Sequence, residues 1–341
     1  MKLLIFTQKV NRSDPILGFF HNWIEKIASS VEQVNVICLE KGEYDLPSNV
    51  QVFSLGKEDG KSKLKYIWRF YKYILSLDYD SVFVHMNQEY VLLGSLFWKL
   101  KNKKISMWYN HTSGTFLTKL AMFLCHFVFH TSPYAFTANS KRSIRMSAGI
   151  DTSLFTSNST EKINNSILYL GRLDRIKKVH LLIEALKILK NRNIDFVLDM
   201  YGRSSPGSES YEEELKSMVR DYELENLITF KNSVSNFETP DIFSRHTIFV
   251  NMTAKGNYDK TVLESMACQS TAVVSSSAFA EAIDPRFIFE EDNAEDFADK
   301  LEYALKLSDD EKNSVGLSNR SYVIENESLE ILVSKLISIL E

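Results

Sequence analysis

Short apolar segments alternate with longer segments of helical spacing along the whole chain, and this alternation limits the fold more than any other feature. Leu3–Phe6, Val34–Leu39, Ser81–His85 and Lys104–Tyr109 read as buried strands. Between them, Phe19–Val31, Lys63–Leu77 and Glu89–Leu100 carry apolar residues at helical spacing. The series restarts after Phe155 with strands at Ser166–Leu170, Phe196–Tyr201, Leu227–Phe230, Thr247–Asn251 and Ala272–Ser275. Helices are expected at Val179–Asn191, Tyr211–Tyr222 and Lys260–Cys268. Such alternation makes parallel sheets covered on both faces. The expected fold class is therefore α/β, with two Rossmann-like, doubly wound domains facing across a cleft. The polar stretch Thr156–Asn165 is the expected linker. A last helix at Ser328–Leu340 is apolar on one face and needs a partner surface.

A chain of 341 residues suits two domains of ordinary size. Its 44% hydrophobic and 25% charged residues are those of a folded chain rather than a disordered one. Cys38, Cys125 and Cys268 are odd in number and far apart, so they provide neither a disulfide framework nor zinc spacing. A reducing, cytoplasmic location is expected. The opening apolar run Leu3–Phe6 stops at Thr7-Gln8-Lys9, as a buried first strand does and a signal peptide does not. The most apolar stretch, Leu117–Phe136, is interrupted by Lys119, His126, His130 and a Ser-Pro step, which makes a poor membrane span. Net charge is −4 but unevenly spread. Residues 1–155 hold 19 Lys and Arg against 12 Asp and Glu, and the remainder holds 21 against 32. The two halves present different surfaces.

Three segments of the second half carry chemistry. In the first, a buried strand ends at Gly171, and Arg172 and Lys177 follow before a helix. Cations at a strand's C-terminal end point into the crevice where α/β folds bind ligands. Arg grips two phosphate oxygens and Lys adds a point charge, although an isolated Gly-Arg-Leu is more often a solvated loop. In the second, a strand through Asn251 feeds the loop Gly256-Asn257-Tyr258-Asp259, and a helix opens with Lys260-Thr261. Backbone N–H groups at such a helix start suit a diphosphate. Glu264, one turn in, suits a pair of ribose hydroxyls or is simply a helix glutamate, and Asp259 is equally well read as the helix N-cap. The third is Gly202, a lone glycine after a strand. No Gly-x-Gly-x-x-Gly or Walker sequence occurs, which lowers the standing of dehydrogenases and P-loop enzymes.

The ordered set Gly-Arg-Leu-x4-Lys at 171–177, Gly202 and Val-Leu-Glu-Ser-Met-Ala-Cys at 262–268, with Gly149-Ile-Asp151 before the linker, resembles the donor domain of family-4 (group 1) GT-B glycosyltransferases. The resemblance covers essentially the second half. It implies an acceptor domain at 1–155, a nucleotide-sugar donor domain at 156–325 and a final helix at 326–341 that packs back on the first domain. It implies retention of the sugar's configuration without a metal or other cofactor. Arg172 and Lys177 would then neutralise the leaving diphosphate, and Glu264 would hold the ribose. The family's second carboxylate, eight residues before the helix glutamate, is here Gly256, so Asp259 is expected to take over sugar recognition, with Lys260 as the alternative. In the first half, His111 resembles a histidine facing the donor sugar, with a structural histidine at a strand end as the plain reading. Gly18 resembles the glycine of a loop near phosphate or acceptor, and His85 is expected to be structural.

Lys61–Leu75 stands apart. Leu64, Ile67, Trp68, Tyr71, Ile74 and Leu75 share one helical face, while Lys61, Lys65, Arg69 and Lys72 share another. The plain reading packs the apolar face on the sheet. The alternative lays the helix on an anionic membrane, attaching the protein to its inner face. The expected partners are thus a nucleotide-sugar donor, a glycan or lipid-linked acceptor and an anionic membrane surface, with no nucleic acid. The expected function is retaining transfer of a sugar in cell-surface polysaccharide synthesis. The rival readings are a non-catalytic partner subunit of the same fold and a sugar-nucleotide epimerase.

Overall fold

The computed structural model describes residues 1–14, 16–157 and 162–341, and it divides into two compact units, Met1–Gly149 with Leu329–Glu341, and Ile150–Ser328. Part of the expected linker, residues 158–161, lies outside the described residues.

In the first unit the chain runs β1 (Lys2–Val10), α1 (Phe19–Ala28), β2 (Gln33–Lys41), β3 (Val50–Ser54), α2 (Lys63–Ser76), β4 (Ser81–His85) and α3 (Gln88–Leu100). It continues through β5 (Lys104–Trp108), α4 (Phe116–Leu124), β6 (Phe127–His130) and β7 (Ser143–Arg145). Among the described residues these strands form one parallel sheet in the order β3-β2-β1-β4-β5-β6-β7. β1 extends past Phe6 to Val10, because its register with β2 continues to Val10 opposite Lys41. Lys9, which appeared to end the strand, is held by Glu40 at 2.6 Å and Asp14 at 3.0 Å.

The second unit runs β8 (Ile163–Leu170), α5 (Val179–Asn191), β9 (Val197–Tyr201), α6 (Glu209–Asp221), β10 (Ile228–Lys231), α7 (Thr239–Arg245), β11 (His246–Asn251), α8 (Lys260–Ala267) and β12 (Thr271–Val274). Helices α9 (Ala294–Lys306) and α10 (Asp309–Tyr322) follow, and α11 (Leu329–Leu340) returns to the first unit. The sheet order is β10-β9-β8-β11-β12, again parallel. Strand order reverses at β8 and β11, so the ends of these strands form the switch point at which such sheets bind ligands.

The division falls after Gly149 rather than after Phe155. Gly149 has φ +67°, and a Cβ there would lie 2.6 Å from Leu332 and 2.8 Å from Trp23, whose Nε1 donates to the Gly149 carbonyl at 2.9 Å. Residues 150–155 belong to the second unit because Ile150 N–H donates to Glu327 O and the Arg320 guanidinium donates to the Phe155 carbonyl. Asp151 Oδ1 accepts from Ser153 N and Leu154 N, which turns the chain there. Gly149-Ile-Asp151 is therefore set by local structure, the glycine by a close approach and the aspartate by a turn.

Candidate functional site

The second unit assembles its polar residues at the C-terminal ends of β8, β9 and β11. β8 and β9 approach so closely that a Cβ on Gly202, at φ +154°, would lie 1.9 Å from the Gly171 carbonyl oxygen. Gly171 N–H in turn donates to Tyr201 O at 3.0 Å. The two glycines serve backbone packing, and they bring Arg172 and Ser205 within reach of each other. The Arg172 guanidinium lies 3.1 Å from Asp174 Oδ2 and 3.3 Å from Ser205 Oγ. Asp174 is buried and accepts from both Ser205 N–H and Ser205 O–H. Burial opposes its ionisation, but the Ser205 hydrogen bonds and the Arg172 charge outweigh burial and hold the carboxyl below its ordinary value. Arg172 is thus anchored on one side and half-exposed on the other.

Lys177 ends a short 3₁₀ turn, Arg175–Lys177, and its ammonium sits 2.6 Å from Asp259 Oδ2. Asn251 Nδ2, from the end of β11, donates to the same oxygen at 3.1 Å. Asp259 has the backbone position of the α8 N-cap, but its side chain makes no capping bond, because it is turned toward Lys177 and Asn251. The first turn of α8, including Thr261, is consequently left without a side-chain cap, an arrangement suited to phosphate oxygens.

Glu264 is buried, 4% exposed, and accepts from Asn236 Nδ2 at 3.3 Å. Burial pushes its carboxyl up, opposed by the Lys260 ammonium one turn earlier. The same burial pushes Lys260 down, against the pull of Glu264 and Glu327. Lys260 therefore balances two carboxylates of its own unit. Tyr258 is also turned inward: its ring stacks on Phe279 at 4.5 Å and its hydroxyl donates to Glu327 at 2.7 Å. Asn257 closes the loop on itself, donating from N and Nδ2 to Ala254 O, while its carbonyl accepts from Ser276. Gly256 has φ +91°, so its place is held by a left-handed backbone as well as by a missing side chain.

In the first unit, His111 is exposed in the loop after β5, with the Tyr109 ring 5.2 Å away. That loop is tied to the one after β6: Asn110 Oδ1 accepts from Thr131 N and Ser132 N, and the His111 carbonyl accepts from Phe136 N. His85 is buried and stacked on Phe20 at 4.2 Å. Gly18 has an ordinary helical φ, but a Cβ there would meet Asp14 O at 2.6 Å and Arg12 O at 2.9 Å. Its own loop therefore accounts for the glycine.

Sequence reasoning missed Asp174, Ser205, Asn236 and Glu327. Asp174 follows Arg172 by two positions and could have been paired with it. Asn236 lies in the loop after β10 with no pattern around it, and its Oδ1 is buried without a partner.

Two parallel Rossmann-like sheets with this edge chemistry define the GT-B class of fold, and comparison with known proteins agrees. The model of "Glycosyl transferases group 1" matches residues 152–321, and that of "Glycosyl transferase 4-like" matches residues 16–130. The chain belongs to the group 1 glycosyltransferases. Among solved structures it is similar to Anabaena HepE in complex with UDP and glucose, at 16% identity and TM-score 0.79, covering 100% of this chain and 99% of that one. Sucrose-phosphate synthase from Thermosynechococcus elongatus is similar at 14% identity and TM-score 0.80, covering 99% and 98%. A TarM mutant of S. aureus, in complex with Fondaparinux, alpha-GlcNAc-glycerol and UDP, is similar at 11% identity and TM-score 0.78, covering 100% and 99%. No curated protein sequence matches.

Proposed function

We propose that this glycosyltransferase moves a sugar, with retention, from a nucleotide-diphosphate sugar to a glycan or lipid-linked acceptor in cell-surface polysaccharide synthesis. The observation that carries the reading is the pair of cations at the end of β8, Arg172 held by Asp174 and Lys177 held by Asp259. Positive charge fixed in advance stabilises a leaving diphosphate at no cost in reorganisation. It also supplies what a metal ion would otherwise supply, so metal-independent transfer is expected. Binding of UDP by HepE and the TarM mutant supports a nucleotide-linked donor. Glu264 would take the ribose hydroxyls, and the departing diphosphate would accept the acceptor proton on the same face. His111 would hydrogen-bond the sugar. Cytoplasmic location with attachment of α2 to an anionic membrane face completes the reading. It is supported by Trp68, which is 54% exposed with Lys65 4.3 Å and Lys72 5.5 Å from its ring.

The test is release of nucleoside diphosphate from UDP-, GDP- and ADP-sugars with added glycan and lipid acceptors in the presence of a chelator. The anomeric configuration of the product is read by NMR. Acceptor-dependent release with the donor's configuration kept supports the proposal, whereas inversion or loss of turnover with the chelator corrects it. The missing carboxylate at Gly256 favours one second reading, a non-catalytic partner subunit, which would bind nucleotide and release nothing.

A further inference from the structure

Helix α4 is built inside out for a protein surrounded by water. Its buried residues are the small Thr118 and Ala121, while Phe116 is 77%, Leu117 50% and Phe123 68% exposed. An amphipathic helix on a soluble domain does the reverse. Thr118 is fastened inward, its hydroxyl donating to Gln88 at the start of α3 at 2.7 Å. α3 packs against α4 and adds Leu96 at 73% and Leu100 at 76% exposure. Tyr71 of α2 joins the same surface, its hydroxyl donating to Leu93 O of α3. Six of the large apolar side chains exposed among the described residues, Leu96, Leu100, Phe116, Leu117, Leu120 and Phe123, lie on the packed pair α3 and α4. Apolar exposure gathered on two packed helices marks an interaction surface.

Its charge is one-sided. α2 and α4 contain no acidic residue, and α3 contains only Glu89. Between α4 and the loop that follows β6 lies an open recess of about 540 Å³, with Lys119, Lys141 and Arg142 among its polar lining and Phe123, Tyr134 and Phe136 among its apolar lining. Arg142 is fixed there by donating to the Cys125 carbonyl at 2.6 Å, and Lys119 lies 6.0 Å over the Phe136 ring. Thr112, next to His111, completes one side.

We propose that this recess holds the anionic headgroup of a membrane lipid while the exposed rows of α3 and α4 enter its acyl layer. A cavity of this size suits a headgroup. Adjoining apolar and basic surfaces match an interface in which hydrocarbon and phosphate lie within a few ångströms of each other. The recess shares its border with the His111 loop, so the lipid bound there is the lipid-linked acceptor of the proposed transfer. That identification rests on the transferase reading, whereas lipid binding does not.

The test is co-sedimentation of the full chain with phosphatidylcholine vesicles, with and without phosphatidylglycerol, and separately a thermal shift with inorganic phosphate. Wild type should pellet with the anionic vesicles only. Lys119→Gln with Lys141→Gln removes two cations, each worth about 1 kcal/mol at such a surface, so partition should fall roughly 30-fold. Phe116→Ser with Phe123→Ser, at positions facing water and thus compatible with folding, should abolish pelleting while thermal stability is kept. Wild-type partition by both double variants overturns the proposal, as does equal pelleting with neutral vesicles or failure to pellet at all. Saturating stabilisation by phosphate alone would reassign the recess to a soluble anion. Sugar transfer is not measured in these assays, so their failure leaves the transferase reading standing, and absence of turnover leaves lipid binding standing.

Discussion

The C-terminal ends of β8, β9 and β11 and the loops after β5 and β6 are built from different materials. In the second unit, carboxylates hold cations: Asp174 fixes Arg172, Asp259 fixes Lys177, and Glu264 sits one turn from Lys260. In the first unit, neutral groups hold the loops after β5 and β6: Asn110 bridges them, and Thr137 donates to the Tyr109 carbonyl, while Lys9 meets Glu40 and Asp14 apart from them, at the ends of β1 and β2. Lys119, Lys141 and Arg142 stand outside this scaffold, among exposed rings. An edge wired by ion pairs presents charge at set points, which suits one polyanion in one pose. An edge wired by amides leaves its surface chemistry free for broad contact.

The largest effect expected from this contrast is at Gly202. Gly202→Ala forces a methyl into the Gly171 carbonyl and pushes apart the strand ends that carry the ion pairs. The expected loss is about 3 kcal/mol, the upper end of ordinary overpacking. That corresponds to a fall of about 6 °C or more in melting temperature, read by calorimetry. A melting temperature within a degree of wild type would mean that the two strands do not need to meet. Next comes Lys177→Ala, which should lower turnover about 10²-fold with a smaller change in donor affinity, because the diphosphate gains charge in the transition state. Asp259→Asn should lower turnover in the same direction by releasing Lys177, and the double variant should be little worse than Lys177→Ala. Additive losses would show that Asp259 touches the substrate independently, as the sequence reading has it.

Two doubly wound units and most of their strands were legible because buried parallel strands are unbroken apolar runs. β3 was missed because its pattern is half-exposed, β6 because it lies inside the long apolar stretch Leu117–Phe136, and β7 because it is three residues long. α4 was obscured by its own composition: an apolar run interrupted by Lys119 looks like a weak membrane span until its burial is known. The helix at 63–76 was legible but its facing was not. The core takes Phe70 and Ile74, while Leu64 and Trp68 of the apolar row face water. At the site, Arg172, Lys177 and Glu264 could be read from their spacing. The supports of Lys177 and Glu264 could not, because Asp259 lies 82 residues from Lys177 and Asn236 lies 28 from Glu264. Pairings of that kind are made by strand order rather than by sequence.

The smallest effect is expected at Gly256, and it asks whether the second unit lacks a carboxylate or has a different loop. If only a side chain were missing, Gly256→Glu would supply the sugar-binding acid and raise turnover. The backbone argues against this. At φ +91° a residue with a Cβ is strained, at a cost of about 1–2 kcal/mol. The flanking loop is held in that shape by Ser275 donating to the Thr253 carbonyl and Ser276 donating to the Asn257 carbonyl. Gly256→Glu should therefore lower stability by about that amount, read by urea unfolding, without raising turnover on any donor tested. Gly256→Ala should lose nearly as much stability, since the strain begins at the first side-chain carbon. If Gly256→Glu instead keeps wild-type stability and gains turnover, the loop is a conventional one that has lost its acid. Sugar recognition would then return to position 256, and Asp259 would be left with the single task of holding Lys177.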